Sequence, residues 1–170
     1  TAWPVVVHYS KPVAPCFRGV LYLLKSQPAR CPAGCSGEMA NALDLHTIRR
    51  PDVSEVSGMK ALIDRAVVQG LLLPRTHAEL YENLRHFYIY ADEKGVGGCC
   101  ALRMDGPDLA EIWALVVRED LRGNHVGAQL VEACVADARE HGVKRVYALS
   151  RTPAFFLRHS FHEIDRYELP

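Results

Sequence analysis

The chain has 170 residues, 49% of them hydrophobic, and its 20 basic side chains balance 20 acidic ones. That length buries one substantial core, and the absence of net charge leaves no field to draw in nucleic acid or an anionic membrane, so small molecules or another protein are the expected partners, with room for a homodimer. No apolar run approaches the roughly 20 residues that span a bilayer, and six cysteines, with Cys99 and Cys100 adjacent in an apolar run, read as reduced thiols of a cytoplasmic protein.

Residues 1–42 differ from the rest: they are proline-rich, hold Cys16, Cys31 and Cys35, and carry a single acid, Glu38. The run "GVLYLL" is too short for a secretory leader, and the prolines interrupt any amphipathic transit helix. They read as an extension, poorly ordered, ahead of a domain over residues 43–170. Met39 is then an alternative start, and a chain beginning there should keep full activity. "CPAGC" offers two thiols that Cys16 or His8 would have to complete; a second rigid pair is missing, so no metal is expected.

From Leu43 the pattern is regular. "LDLHTIR" alternates as a strand. Asp52 caps a helix with Val53, Val56, Met59, Leu62, Ile63, Ala66 and Val67 at helical spacing and Gly70 as its stop. Thr76 and Glu79 form a capping box for a second helix ending near Arg85. Three strands follow, Phe87 to Ala91, Gly97 to Met104 and Glu111 to Val117, and their short turns make an antiparallel meander. Val126, Leu130, Cys134, Val135 and Ala138 mark a helix ending at Gly142. "RVYALS" is a strand, Thr152 and Pro153 open a short helix, and "FHEIDRYEL" is the last strand. The order β-α-α-β-β-β-α-β-α-β predicts an α/β (α+β) fold, a mixed, mostly antiparallel central sheet flanked by helices.

Between the meander and the third helix stands Arg122-Gly123-Asn124-His125-Val126-Gly127. Glycines running into a helix start bring backbone N–H groups and the positive end of the helix dipole to an anion. The loop resembles the Arg/Gln-x-x-Gly-x-Gly/Ala pattern of the GCN5-related N-acetyltransferase superfamily, with His125 departing from it. "LLLPRTHAELYENLRHFYIY", "GCCALRMDGPDLAEIWALVVRED" and "YALSRTPAFFLRHSFHEID" extend the resemblance over roughly Leu45 to Leu169, to the acetyltransferase domain of bacterial N-acetylglutamate synthases. That family normally has a bulky residue where Leu121 stands and a glycine where Ser160 stands.

The resemblance implies acetyl transfer from acetyl-CoA, as cosubstrate, to the α-amine of L-glutamate, an early step of arginine biosynthesis. It places acyl-CoA on the backbone of Leu115, Val116 and Val117 and on the loop Arg122, Gly123, Asn124, His125, Val126, Gly127 and Ala128. Arginine matches a carboxylate with two prongs, and Arg75 in "LLPR" and Arg151 in "LSRT" match arginines that the family uses for substrate carboxylates; Arg85 and Arg103 are secondary candidates. A base must take the amine's proton; Glu111 is the first choice, with His46 and His125 weaker alternatives. Phe155 and Phe156 fill the segment where the superfamily often has a proton-donating tyrosine, so no general acid is named. The alternatives are the same chemistry on another amine (a protein N-terminus, a polyamine, an antibiotic) and a noncatalytic acyl-CoA-binding domain.

Overall fold

Nearly continuous burial along its central strands gives the sheet two apolar faces, and each is covered by helices. The computed structural model describes residues 5–9 and 48–165. Its elements are β1 (Val5–Tyr9), β2 (Ile48–Arg49), α1 (Val56–Val68), α2 (His77–Glu82), β3 (Phe87–Asp92), β4 (Gly95–Met104), β5 (Leu109–Val117), α3 (Val126–Glu140), β6 (Arg145–Ser150), α4 (Pro153–Leu157) and β7 (Phe161–Glu163). A 3-10 turn, Val53–Glu55, leads into α1, so that helix starts one turn later than its capping pattern suggests. Thr76 accepts from the Glu79 N–H while Glu79 accepts from the Thr76 N–H, the reciprocal box expected for α2. From β2 to β7 the order is the predicted one.

The sheet runs β2-β3-β4-β5-β6-β1-β7. All neighbours are antiparallel except β5 and β6, which are parallel and joined by the α3 crossover. One face packs Cys100, Leu102, Ile112 and Val146 under Leu130 and Cys134 of α3. The other packs Phe87, Ile89 and Trp113 under Met59 and Ile63 of α1 and Leu80 of α2. Arg50 ties the β2 edge to α3: its guanidinium donates to Asp137 at 2.8 Å and to the Arg85 carbonyl at 2.7 Å, and lies 3.9 Å from the centre of the Tyr88 ring.

Strand β1 corrects the boundary drawn at residue 42. Val5 to His8 pair with Ser150 to Tyr147, and Val7 to Tyr9 pair with Glu163 to Phe161, so the strand sits inside the sheet. Val7 joins the α3-side core and Val6 packs with Leu109 and Tyr147, so both faces of "VVVHY" are used. The run is bracketed by Pro4 and by Ser10 and Pro12, but it stands in a proline-rich segment far from any local pairing partner, so it reads as part of the extension. A chain beginning at Met39 would lack β1. Residues 10–47, with Cys16, Cys31, Cys35, Met39 and His46, lie outside the described residues.

Because Val7 is fully buried, Val7→Asp should destabilise the fold by about 3 kcal/mol or more. Urea unfolding measures this, and an unchanged midpoint would place β1 outside the sheet.

Candidate active site

The cleft begins where two parallel strands part. β5 and β6 pair only from Leu109/Arg145 to Ile112/Ala148, although both strands continue. Ala114 adopts φ +53°, and the β4–β5 register shifts between Cys99 and Ala101, the signature of a bulge. Beyond it β5 stays bonded to β4, through Cys99/Val116 and Gly98/Val117, while its other edge turns away from β6. A cleft of about 660 Å³ fills the gap.

One wall is Leu115, Val116 and Val117, whose β6-side edge is paired by no strand among the described residues; the Val117 carbonyl accepts from Arg122 Nε at 3.3 Å. The mouth is Arg122, Gly123, His125, Val126, Gly127 and Ala128 at the start of α3. The His125 carbonyl accepts the first helical bond, from Gln129, so the N–H groups of Val126, Gly127 and Ala128 have no helical acceptor. Asn124 does not line the cleft; its N–H donates to the Leu121 carbonyl. Gly127 lies so close to Phe155 that an added Cβ would sit 3.2 Å from two ring carbons.

His125 takes φ +61° and Ser160 takes φ +65°. Both therefore hold the left-handed backbone that glycine adopts freely, at the two positions where the chain departs from the family's glycines. The loop geometry survives without them.

The opposite wall is Leu149, Ser150, Thr152 and Phe155. Ser150 is a buried hydroxyl absent from the candidates read from sequence. Its Oγ accepts from the Thr152 N–H at 3.0 Å, and Thr152 itself makes no side-chain cap on α4, contrary to expectation. Ile112 and Trp113 complete the floor, and none of the lining residues is a carboxylate.

Glu111 stands beside the floor without lining the cleft; it is 7% exposed and shares a face of β5 with Trp113. Burial raises its carboxyl above the ordinary range, against the pull of Arg103 and Arg75. Arg75 lies 4.9 Å from the centre of the Trp113 ring, and its contact with Glu79 is a loose 3.6 Å. Arg151 donates to the Gly70 carbonyl at the end of α1 at 2.8 Å; neither it nor Arg75 lines the cleft, whose lining arginines are Arg122 and Arg158. Arg103 is engaged by Glu111 at 2.5 Å and Asp105 at 2.9 Å, and the backbone of Arg85 serves Arg50, so neither shares the placement of Arg75 and Arg151. Trp113 Nε1 has no hydrogen-bond partner among the described residues.

Cys99, Cys100 and Cys134 are buried free thiols, and burial pushes the Cys99 thiol up to about 12, which leaves it no thiolate character for nucleophilic chemistry. No three His, Cys, Asp or Glu side chains gather among the described residues. Nor is any helix among them long and apolar enough to cross a membrane.

Residues 49–163 match the model of the family described as Acetyltransferase (GNAT) family. The chain is 33% identical over 124 residues to an N-acetyltransferase of Chlorobaculum tepidum, covering 72% of this chain and 79% of that protein. It is 33% identical over 121 residues to the amino-acid acetyltransferase of Mycobacterium tuberculosis, covering 69% of each. Against a crystal structure of N-acetylglutamate synthase from Neisseria gonorrhoeae complexed with coenzyme A and N-acetyl-glutamate, the TM-score is 0.69 at 29% identity, over 73% of this chain and 30% of that one. A Mycobacterium tuberculosis protein solved in complex with CoA gives a TM-score of 0.66 at 31% identity, over 70% of this chain and 73% of that one.

His125→Gly and Ser160→Gly should each raise stability by up to about 1 kcal/mol, since relief of the left-handed strain exceeds the added freedom of the unfolded chain. His125→Val should instead cost about 1–2 kcal/mol. Urea midpoints of the three variants check the signs.

Proposed function

The chain belongs to the acetyltransferase (GNAT) family, and from that premise we propose that it moves the acetyl group of acetyl-CoA onto the α-amine of L-glutamate or a close analogue. The observation that carries this reading is the distribution of charge. A cleft with no carboxylate among its lining residues has Arg122 and Arg158 in that lining and Arg75, against the Trp113 ring, and Arg151, next to Ser150, just beyond it; the one buried carboxylate nearby, Glu111, lies two residues from Trp113 in the floor. A polyamine would call for acidic walls; an amino acid with a second carboxylate calls for cations and no acids around it. The names of the relatives, amino-acid acetyltransferase and N-acetylglutamate synthase, support the same acceptor and a place in arginine biosynthesis.

The acyl-CoA would lie along the parted edge of β5. The backbone donors of Leu115 to Val117 would take the pantetheine and the thioester carbonyl, and the α3 start would take the pyrophosphate on the N–H groups of Val126 to Ala128. Asn124 helps only by shaping the loop. His125 contributes its carbonyl and its left-handed turn rather than its ring, so the backbone does the holding.

Glu111, directly or through water, would accept the proton of the acceptor ammonium, and the neutral amine would attack the thioester carbon. The carbonyl electrons move onto oxygen, then return as the C–S bond breaks and CoA leaves as thiolate, which takes up the second proton shed by the acylated nitrogen, directly or through water. Phe155 has no proton to give. Ser150 puts a hydroxyl in that wall, and a thiolate whose acid has a pKa of roughly 8.5 needs no strong donor at neutral pH. Arg75, steadied by the Trp113 ring, and Arg151 would each hold one acceptor carboxylate.

Free CoA release, followed for the purified chain with acetyl-CoA and a panel of amines, tests this. Release is expected with glutamate or glutamine and not with spermidine; acetyl-CoA binding with no acceptor-dependent release would mean a noncatalytic binding domain. Arg151→Ala should raise the apparent KM for glutamate about tenfold or more, the loss of one charge-assisted contact of about 1.5–3 kcal/mol. An unchanged KM would take Arg151 out of the acceptor site.

A further inference from the structure

Three adjacent strands set Arg103, Glu111 and Tyr147 in one row. Arg103 on β4 is the register partner of Glu111 on β5, and Glu111 is the register partner of Tyr147 on β6. Residues paired in this way present their side chains on one face of the sheet. Arg103 Nη2 lies 2.5 Å from Glu111 Oε2, and Arg103 Nε donates to Asp105 Oδ1 at 2.9 Å. The other oxygen of Asp105 accepts from the Tyr147 hydroxyl at 2.5 Å. The guanidinium is thus fixed between two carboxylates, and one of those is held by a phenol that is itself buried.

We propose that Arg103 is a positioning residue for the base of this reaction: it grips Glu111 by one carboxylate oxygen, sets a fixed positive charge beside it, and is itself held in place by Asp105, which Tyr147 holds in turn. The proposal rests on the reading of Glu111 as base. It also accounts for the contacts of Arg103, a candidate substrate ligand on sequence grounds: Nε and Nη2, the edge that would grip a carboxylate side-on, are taken by Asp105 and Glu111 within the protein.

The charge balance around Glu111 gives the direction of the effect. The ionisable groups that face it are Arg103 and Asp105 from β4 and the turn after it, Arg75 from the segment before α2, and Tyr147 from β6. Burial and Asp105 favour the protonated acid; Arg103 and Arg75 favour the carboxylate. With Arg103 gone, Glu111 keeps its burial and the Asp105 charge against Arg75 alone. Its pKa must rise further, and the unprotonated base is lost over a wider acidic range.

The experiment is kcat/KM against pH for the full chain, Arg103→Met, Arg103→Lys and Glu111→Gln, with circular dichroism to confirm folding. The acid limb of Arg103→Met should move up by about one pH unit, most of the lost rate returning at high pH. Arg103→Lys, which restores charge without the fork, should fall between that variant and the parent. A limb that stays in place in Arg103→Met, with the rate lowered equally at every pH or with only the glutamate KM raised, would overturn the proposal and make Arg103 a structural or substrate-binding group. Glu111→Gln should lose roughly 100-fold or more together with the limb. If Glu111→Gln keeps both, the base assignment itself has failed, whatever Arg103 does.

Discussion

The bulge at Ala114 is the constraint on which the site depends. Parallel strands ordinarily bond along their whole shared length, which would seal β5 against β6 and leave nothing for a ligand. One residue in the left-handed region, φ +53° at Ala114, turns the second half of β5 away while β4 still holds its other edge. A non-glycine residue in that region is strained by about 1 kcal/mol or more. The strain is tolerated because the surrounding sheet fixes it: β4 bonds on both sides of the irregularity, and Ala114 itself is buried in the α1-side core. The outcome is a strand edge that no strand among the described residues pairs, facing a cleft whose mouth is the start of α3.

The same geometry places the charged groups. Before the bulge, β5 still pairs with β6, so Glu111 is enclosed on both sides, by Arg103 from β4 and Tyr147 from β6. After the bulge, the edge is open and the walls are apolar or backbone. A buried base and an acyl-donor channel therefore come from successive halves of one nine-residue strand. Arg75 and Arg151 reach the region from the segment before α2 and from the end of β6, Arg75 against Trp113 and Arg151 against Gly70.

Much of this was legible in the chain. Helical spacing, the Thr76/Glu79 box and the short meander turns gave the elements from β2 to β7 because those signals are local. Strand β1 escaped, since its partners are about 140 residues away in sequence and it stands inside a proline-rich segment whose composition masks it. The bulge escaped because alanine gives no sign of a positive φ. The Arg103–Glu111 pair escaped because it exists only once β4 and β5 are in register, and so Arg103 read as a free cation. Ser150 escaped because a serine at a strand end is common. His125 was the informative residue: it stood out against the glycine pattern, and the structure shows the ring replacing a glycine whose backbone conformation it keeps.

The central claim is that backbone groups of the parted β5 edge and the α3 start hold the acyl donor. Amide hydrogen exchange with and without acetyl-CoA addresses it residue by residue. The account predicts slowed exchange confined to Leu115–Val117 and Gly123–Ala128, with the paired stretch of β5 before the bulge unchanged. Protection that appears elsewhere, with those two segments unaffected, would contradict it.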